Sequence, residues 1–339
     1  MTSVAPRPGR PRAAVMADVA RLAGVSQQTV SRVLNGSPHV RADTRLRVEE
    51  AVRKLGYRPN RVARALVTGR SRTLGVVSFD TTQFGPASTL AGIERAAHDA
   101  GYSVSIASLA SLTAGALHSA IDRLCDQGVD GVLAIAPQES AARALHHLPA
   151  ELPVVATEAG TQDGVPLVAV DQREGASAAT AHLLALGHPT VWHVCGPSDW
   201  LEAQDRVEGW RETLAEAGAR APALLRGDWS ARSSYALARR LPADATAVFA
   251  GNDQMALGVL RALHELGRRV PEDVSVVGFD DIPEAAYFTP PLTTVRQRFD
   301  EVGRRAVIAL LEQIDGAART GARTTIAPEL VVRASTAAP

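Results

Sequence analysis

The run Gln27–Gln28–Thr29–Val30–Ser31–Arg32 places polar side chains of a distinctive kind close together. A glutamine carboxamide can pair with the edge of adenine in the major groove of DNA, and an arginine fork can pair with guanine. Thr29 and Ser31, with His39 a little further on, are suited to holding phosphates. A second set, Asn252 and Asp280, follows two short apolar runs, Val248–Ala250 and Val274–Gly278. Amides and carboxylates at such positions donate to and accept from the hydroxyls of a sugar. Nothing comparable points to catalysis. GxSxG and GxxxxGK[ST] runs are missing, and the nine histidines show no metal-ligand spacing. We expect no catalytic residue, no metal and no cofactor.

The elements that must present Gln27, Gln28 and Arg32 can be read nearby. Met16 to Gly24 puts Val19, Leu22 and Ala23 on one helical face. Gly24 can take the positive φ of a tight turn, and Ser26 is a good cap for a second helix, Gln27 to Leu34. That helix buries Val30, Val33 and Leu34 before Asn35-Gly36 stops it. A third helix, Ala42 to Leu55, adds Leu46, Val48, Val52 and Leu55 to the core. Two short helices across a glycine turn are the layout of a helix-turn-helix. A three-helix bundle that binds protein is the competing reading. Charge weighs against it: residues 1–72 hold 15 basic and 4 acidic residues, net +11, so the rest of this electroneutral chain is net −11. A basic domain joined to an acidic one suits a polyanion partner for the first.

The chain has 339 residues, which suits two or three domains. Cys125 and Cys195 make no disulfide framework, so a reducing cytoplasm is the expected home. The Pro- and Arg-rich start has no apolar run behind it, so it is not expected to be a signal peptide, and no stretch approaches the ~20 apolar residues of a membrane span. From Thr73 onward short apolar runs alternate with amphipathic helices. Strands are expected at Leu74–Phe79, Val104–Ser108, Gly131–Ile135, Pro153–Ala156, Leu167–Val170, Val191–Val194, Val248–Ala250 and Val274–Gly278. Helices are expected at Leu90–Ala100, Gly175–Leu186, Ala203–Ala217 and Met255–Leu266. This is α/β alternation, fitting two doubly wound subdomains with a ligand cleft at the carboxyl ends of their strands. Trp210, on a helix face with Leu214, reads as core, and His188 as a helix-end residue.

The run DVARLAGVSQQTVSRVLNG (Asp18 to Gly36), then Gly56-Tyr57-Arg58-Pro59-Asn60 and Arg61 to Leu66, resembles the Lac repressor family, and the match covers nearly the whole chain. The resemblance puts Gln27, Gln28 and Arg32 on the base-reading positions. It implies a hinge helix, formed when two copies pair over the minor groove, in which Leu66 wedges between central base pairs while Asn60, Arg61 and Arg64 meet the backbone. A plain linker is the alternative there. The implied organisation is a disordered tail at 1–15, a headpiece at 16–59, and a hinge helix with linker at 60–72. An effector-binding and dimerisation core then covers 73–333, in periplasmic-binding-protein-like subdomains at about 73–159 with 290–324 and 160–289 with 325–333. A tail at 334–339 closes the chain.

Arg206, within Trp200 to Trp210, matches the family's effector-anchoring arginine, whose fork suits vicinal hydroxyls or a carboxylate. Trp229 resembles the tryptophan on which a galactoside ring stacks in one member, and Glu158 stands where that member has an aspartate. Phe84, Trp200 and Phe299 are candidate aromatic walls, and Gln297 a polar rim. The implied partners are a pseudo-palindromic operator, a carbohydrate of β-galactoside or β-glucoside type, and a second copy of the chain. No leucine heptads follow Arg333, so a dimer is expected. A sugar receptor of transport type uses the same core fold and is the alternative, opposed by the attached headpiece. An enzyme on this scaffold is the third possibility, favoured by no motif.

Overall fold

The computed structural model describes residues 14–34, 37–57, 69–79, 82–109, 113–145, 148–149, 151–158 and 164–339. The expected hinge residues Asn60, Arg61, Arg64 and Leu66, and the tail up to residue 13, lie outside them. The chain forms two compact units, residues 1–71 and 72–339.

In the first unit, helix α1 (Met16–Ala23) ends at Gly24, whose φ of 65° closes the turn. Ser26 Oγ accepts from the Thr29 N–H at 3.1 Å, capping α2 (Gln27–Leu34). Helix α3 (Ala42–Leu55) completes a core of Val19, Ala20, Ala23, Val30, Val33, Val48, Ala51 and Tyr57. Two expected core residues are not in it: Leu22 is 52% exposed and Leu46 is 64% exposed. The reason is angular. At 100° per residue Leu46 points about 160° away from Val48, and Ala51 takes the inward place. Leu22 lies at the margin of a face centred on Val19, Ala20 and Ala23.

Among the described residues the second unit holds two six-stranded sheets. Their strands are β1 (Thr73–Phe79), β2 (Ser103–Leu109), β3 (Gly131–Ile135), β4 (Val154–Thr157), β5 (Leu167–Val170), β6 (Trp192–Cys195), β7 (Leu225–Arg226), β8 (Ala247–Ala250), β9 (Ser275–Asp280), β10 (Thr293–Arg296), β11 (Arg323–Ile326) and β12 (Glu329–Val331). The helices are α4 (Phe84–Asp99), α5 (Ala114–Asp126), α6 (Glu139–Leu145), α7 (Gln172–Ala185), α8 (Leu201–Glu216), α9 (Ala231–Ala238), α10 (Asp253–Glu265) and α11 (Phe299–Ile314). The first sheet runs β11-β5-β4-β3-β1-β2, all parallel. The second runs β12-β10-β9-β8-β6-β7, parallel except for the antiparallel edge strand β12. Both faces of each sheet are covered by helices, which is why β3, β4, β5, β8 and β9 are buried along their whole length. Trp210 is buried in the second lobe and donates its Nε1–H to the Val191 carbonyl at 2.9 Å.

The subdomain limits differ from those expected. Leu167–Val170 pairs with β4 and β11, so the first lobe extends to residue 170 and does not stop at 159. Thr293–Arg296 pairs with β9, so the return crossing follows Arg296 and not residue 289. Sequence could not show this, because a run such as LVAV suits either sheet and only its pairing decides. Residues 334–339 are not a free tail. Ser335 is fully buried, donates to the Val276 carbonyl at 2.6 Å and accepts from the Thr293 N–H at 2.8 Å, and the Ala337 carbonyl meets His188 Nε2 at 3.0 Å. The segment is held by hydrogen bonds and small residues, which leave no apolar period to read.

Candidate functional site

In the first unit, burying Val30 and Val33 turns the opposite face of α2 outward. Gln27, Gln28 and Arg32 are exposed on it, as is His39 in the following loop. Thr29 and Ser31 are half-buried, and the Thr29 hydroxyl lies 2.9 Å from Ser26 Oγ. Arg45 steadies the loop by donating to the Ser37 carbonyl at 2.7 Å. A rigid helix thus presents two carboxamides and a guanidinium, the donor and acceptor set that reads base edges.

In the second unit, a cleft lies where strand ends of the two lobes converge, the place at which a fold of this kind takes a ligand. Phe84, Trp200, Arg206, Trp229, Asn252, Asp280 and Gln297, all expected, line it together with Gln83, Gly85, Pro86 and Glu202. Phe84 opens α4 after β1, Asn252 caps α10 after β8, Asp280 ends β9, and Gln297 follows β10. On one side the lobes meet directly: the Leu201 N–H donates to the Pro137 carbonyl at 2.9 Å, and the Glu139 N–H to Asp199 at 3.2 Å.

Arg206, 3% exposed, is the hub. Its Nε donates to Gln172 Oε1 at 2.9 Å and its Nη1 to the Gly251 carbonyl. Its Nη2 lies 3.9 Å from Asp280 Oδ1 and 4.0 Å from Glu202 Oε2. The guanidinium stacks 3.9 Å from the Phe279 ring centroid and 5.4 Å from that of Trp229. Gln172 Nε2 donates to Gln297 Oε1 at 2.7 Å, and Gln297 Nε2 to Asp280 Oδ1 at 2.6 Å. Gln172 and Gln297 both sit on crossings between the lobes, so this chain of bonds ties the hinge to the cleft floor.

Glu158 is buried beside this network, but is not among the residues lining the cavity. Its Oε1 accepts from the Thr89 hydroxyl at 2.6 Å, and its Oε2 is buried without a partner. Burial pushes its carboxyl up to about 7 against the pull of Thr89, and burial pushes Asp280 up to about 6 against the pull of Arg206. Glu202 is raised as well, by burial and then by the charge of Glu158. Phe299 lies behind Phe84, ring centroids 5.9 Å apart, and not on the cavity wall. Asn252 spends its Oδ1 on the α10 cap, accepting from the Met255 N–H at 2.8 Å. Trp229 stands edge-on to Trp200 at 5.5 Å, and its Nε1–H is buried without an acceptor.

Three of these residues hold the left-handed backbone that favours glycine: Glu158 at φ 62°, Trp229 at 72° and Asp280 at 108°. Such conformations cost roughly 1–3 kcal/mol each and persist where the surrounding structure enforces them. Glu202 and Gln172 were missed from sequence. Glu202 had one signal, its place a helical turn before Arg206. Gln172 had none, because its role depends on where β5 ends.

A DNA-reading headpiece ahead of a two-lobed ligand cleft defines a ligand-responsive regulator. Residues 15–60 match the family model described as bacterial regulatory proteins, lacI family, and residues 180–336 match a periplasmic binding protein-like domain. The lactose operon repressor of Escherichia coli K12 is 35% identical over 326 residues, 95% of this chain and 90% of that protein. The solved Lac repressor dimer bound to operator and the anti-inducer ONPF superposes with a TM-score of 0.85 at 33% identity, covering 96% of this chain and 100% of that one. The solved complex of the transcriptional regulator CelR with cellobiose gives a TM-score of 0.70 at 34% identity, with the same coverage. The chain therefore belongs to the LacI family of DNA-binding transcriptional regulators. Among the described residues no helix is long and apolar enough to cross a membrane.

Proposed function

We propose that the protein is a repressor of sugar-utilisation genes, acting in the cytoplasm as a homodimer on a pseudo-palindromic operator. Gln27, Gln28 and Arg32 read the major groove, and Thr29, Ser31 and His39 hold phosphates. Asn60, Arg61 and Arg64 meet the backbone at the hinge, where Leu66 enters the minor groove. A small carbohydrate of β-galactoside or β-glucoside type closes the cleft and alters operator affinity. Such coupling is worth typically ~1–3 kcal/mol and acts equally on DNA and sugar affinity.

The observation that carries this reading is one chain holding both an outward Gln27–Gln28–Arg32 face and a cleft of paired tryptophans around Arg206, Asp280 and Gln297. Aromatic faces suit the apolar face of a sugar ring, and a rim of amides and carboxylates suits its hydroxyls. The relatives add support, one being a lactose operon repressor and another solved with cellobiose.

Footprinting on the protein's own promoter tests the reading. Arg32→Ala is expected to weaken protection about 10- to 100-fold, the value of one guanine contact. Undiminished protection by that variant refutes the proposed readout.

A further inference from the structure

Around the single guanidinium of Arg206 the cleft gathers three carboxylates: Glu202 and Asp280 on its wall and Glu158 beside it. They act on one another electrostatically, and Asp253 adds a fourth carboxyl beneath Asp280. Asp253 is spent structurally, accepting from the Thr294 hydroxyl at 2.6 Å and the Ile282 N–H at 2.9 Å. The other three are left with one cation whose Nε and Nη1 already donate to Gln172 and Gly251. Arg206 therefore presents no open fork to an incoming anion. A metal does not account for the cluster, since no group of three or more His, Cys, Asp or Glu among the described residues is arranged to hold one.

Two buried atoms nearby lack partners. Glu158 Oε2 is an acceptor with no donor, and Trp229 Nε1–H is a donor with no acceptor. The unpaired Trp229 Nε1–H, beside the edge-on Trp200–Trp229 pair and the polar side chains of Asn252, Asp280 and Gln297 on the cleft wall, suits a ligand carrying both O–H donors and oxygen acceptors on an apolar skeleton. That describes a polyol ring and does not describe a phosphate or carboxylate.

We infer that Glu202, with Glu158 and Asp280, is a specificity determinant that admits an uncharged carbohydrate and rejects its phosphorylated or oxidised forms. The inference rests on the carbohydrate reading above. Glu202 acts from α8, one turn before Arg206 and on the same cleft wall, so that an anion drawn to the arginine also faces the glutamate. At pH ~8, above the range to which burial raises Asp280 and Glu158, a unit negative charge held about 6 Å from one ionised carboxylate at an effective dielectric of about 20 loses about 100-fold in affinity.

The test is calorimetric titration of the full-length protein at pH ~8 with cellobiose, lactose, glucose and galactose, alongside glucose 6-phosphate, glucuronate and galacturonate. A neutral sugar is expected to bind, with its anionic counterpart weaker by about 100-fold. Glu202→Gln removes one carboxylate and is expected to close most of that gap. An anionic sugar binding as tightly as its neutral counterpart overturns the inference and leaves the carbohydrate reading standing, as does a gap that Glu202→Gln leaves unchanged. Silence from every sugar overturns both. If Glu202→Gln does not fold, Glu202→Ser takes its place, and the wild-type comparison decides the anion rejection on its own.

Discussion

Replacing Arg206 by alanine tests whether this side chain is the internal counter-ion of the cleft. The substitution removes two donors, to Gln172 and the Gly251 carbonyl, and the guanidinium that, among the described residues, faces Glu202 and Asp280 at the cleft. Truncating one partner of a buried ion pair costs about 3–5 kcal/mol, because the remaining charge has neither water nor a partner. For a domain of this size that is a fall in Tm of about 6 to 20 °C. The loss should depend on pH in a definite direction. Burial holds Asp280 near about 6 and Glu158 near about 7, above their unfolded values. Carboxyls raised in this way give stability that is fully present below about pH 4 and is lost as pH rises through 6 to 7. Above that window they are ionised and need Arg206; below it they are protonated and need it less. Wild type should therefore be less stable at pH ~8 than at pH ~5.5, and the gap between wild type and Arg206→Ala should be wide at pH ~8 and narrow at pH ~5.5. Thermal melts of both proteins at the two pH values measure this. A variant melting within about 2 °C of wild type at pH ~8, or a gap that widens in acid, refutes the counter-ion argument.

Two further substitutions probe how local geometry serves each site. A Cβ at Gly196 would run into the Trp229 ring, so Gly196→Ala should tip the indole from its place. The near-UV dichroism of the Trp200–Trp229 pair should change and sugar affinity should fall at least about tenfold; an unaltered spectrum contradicts the packing described. Ser26→Ala removes the α2 cap at a cost of about 1 kcal/mol, so the Val30 and Ser31 amides should exchange about fivefold faster, with Ser26→Gly intermediate; equal exchange in all three proteins would show that the cap contributes nothing.

Much of the DNA-binding unit was legible because its signals are local. Gly24 at a turn, Ser26 at a cap and Val30 with Val33 on one face all act within a few residues, and they alone determine that Gln27, Gln28 and Arg32 face outward. The errors came where a period was followed too loosely, as at Leu46. In the core, β-strand positions were readable because a strand covered on both faces must be apolar throughout. Which sheet a strand joins was not, because Leu167–Val170 and Thr293–Arg296 carry no mark of their neighbours. The same limit held in the cleft. Residue type at strand ends pointed to Asn252 and Asp280, and the family resemblance to Arg206 and Trp229, but Gln172 and Glu202 entered only when two crossings and a helix brought side chains 34 and 125 residues apart within bonding distance. The charge balance of the site is likewise a tertiary property. A glutamate on a helix is ordinarily solvated, and Glu202 becomes a selective element only because folding removes its water and sets Glu158, Asp280 and one guanidinium around it.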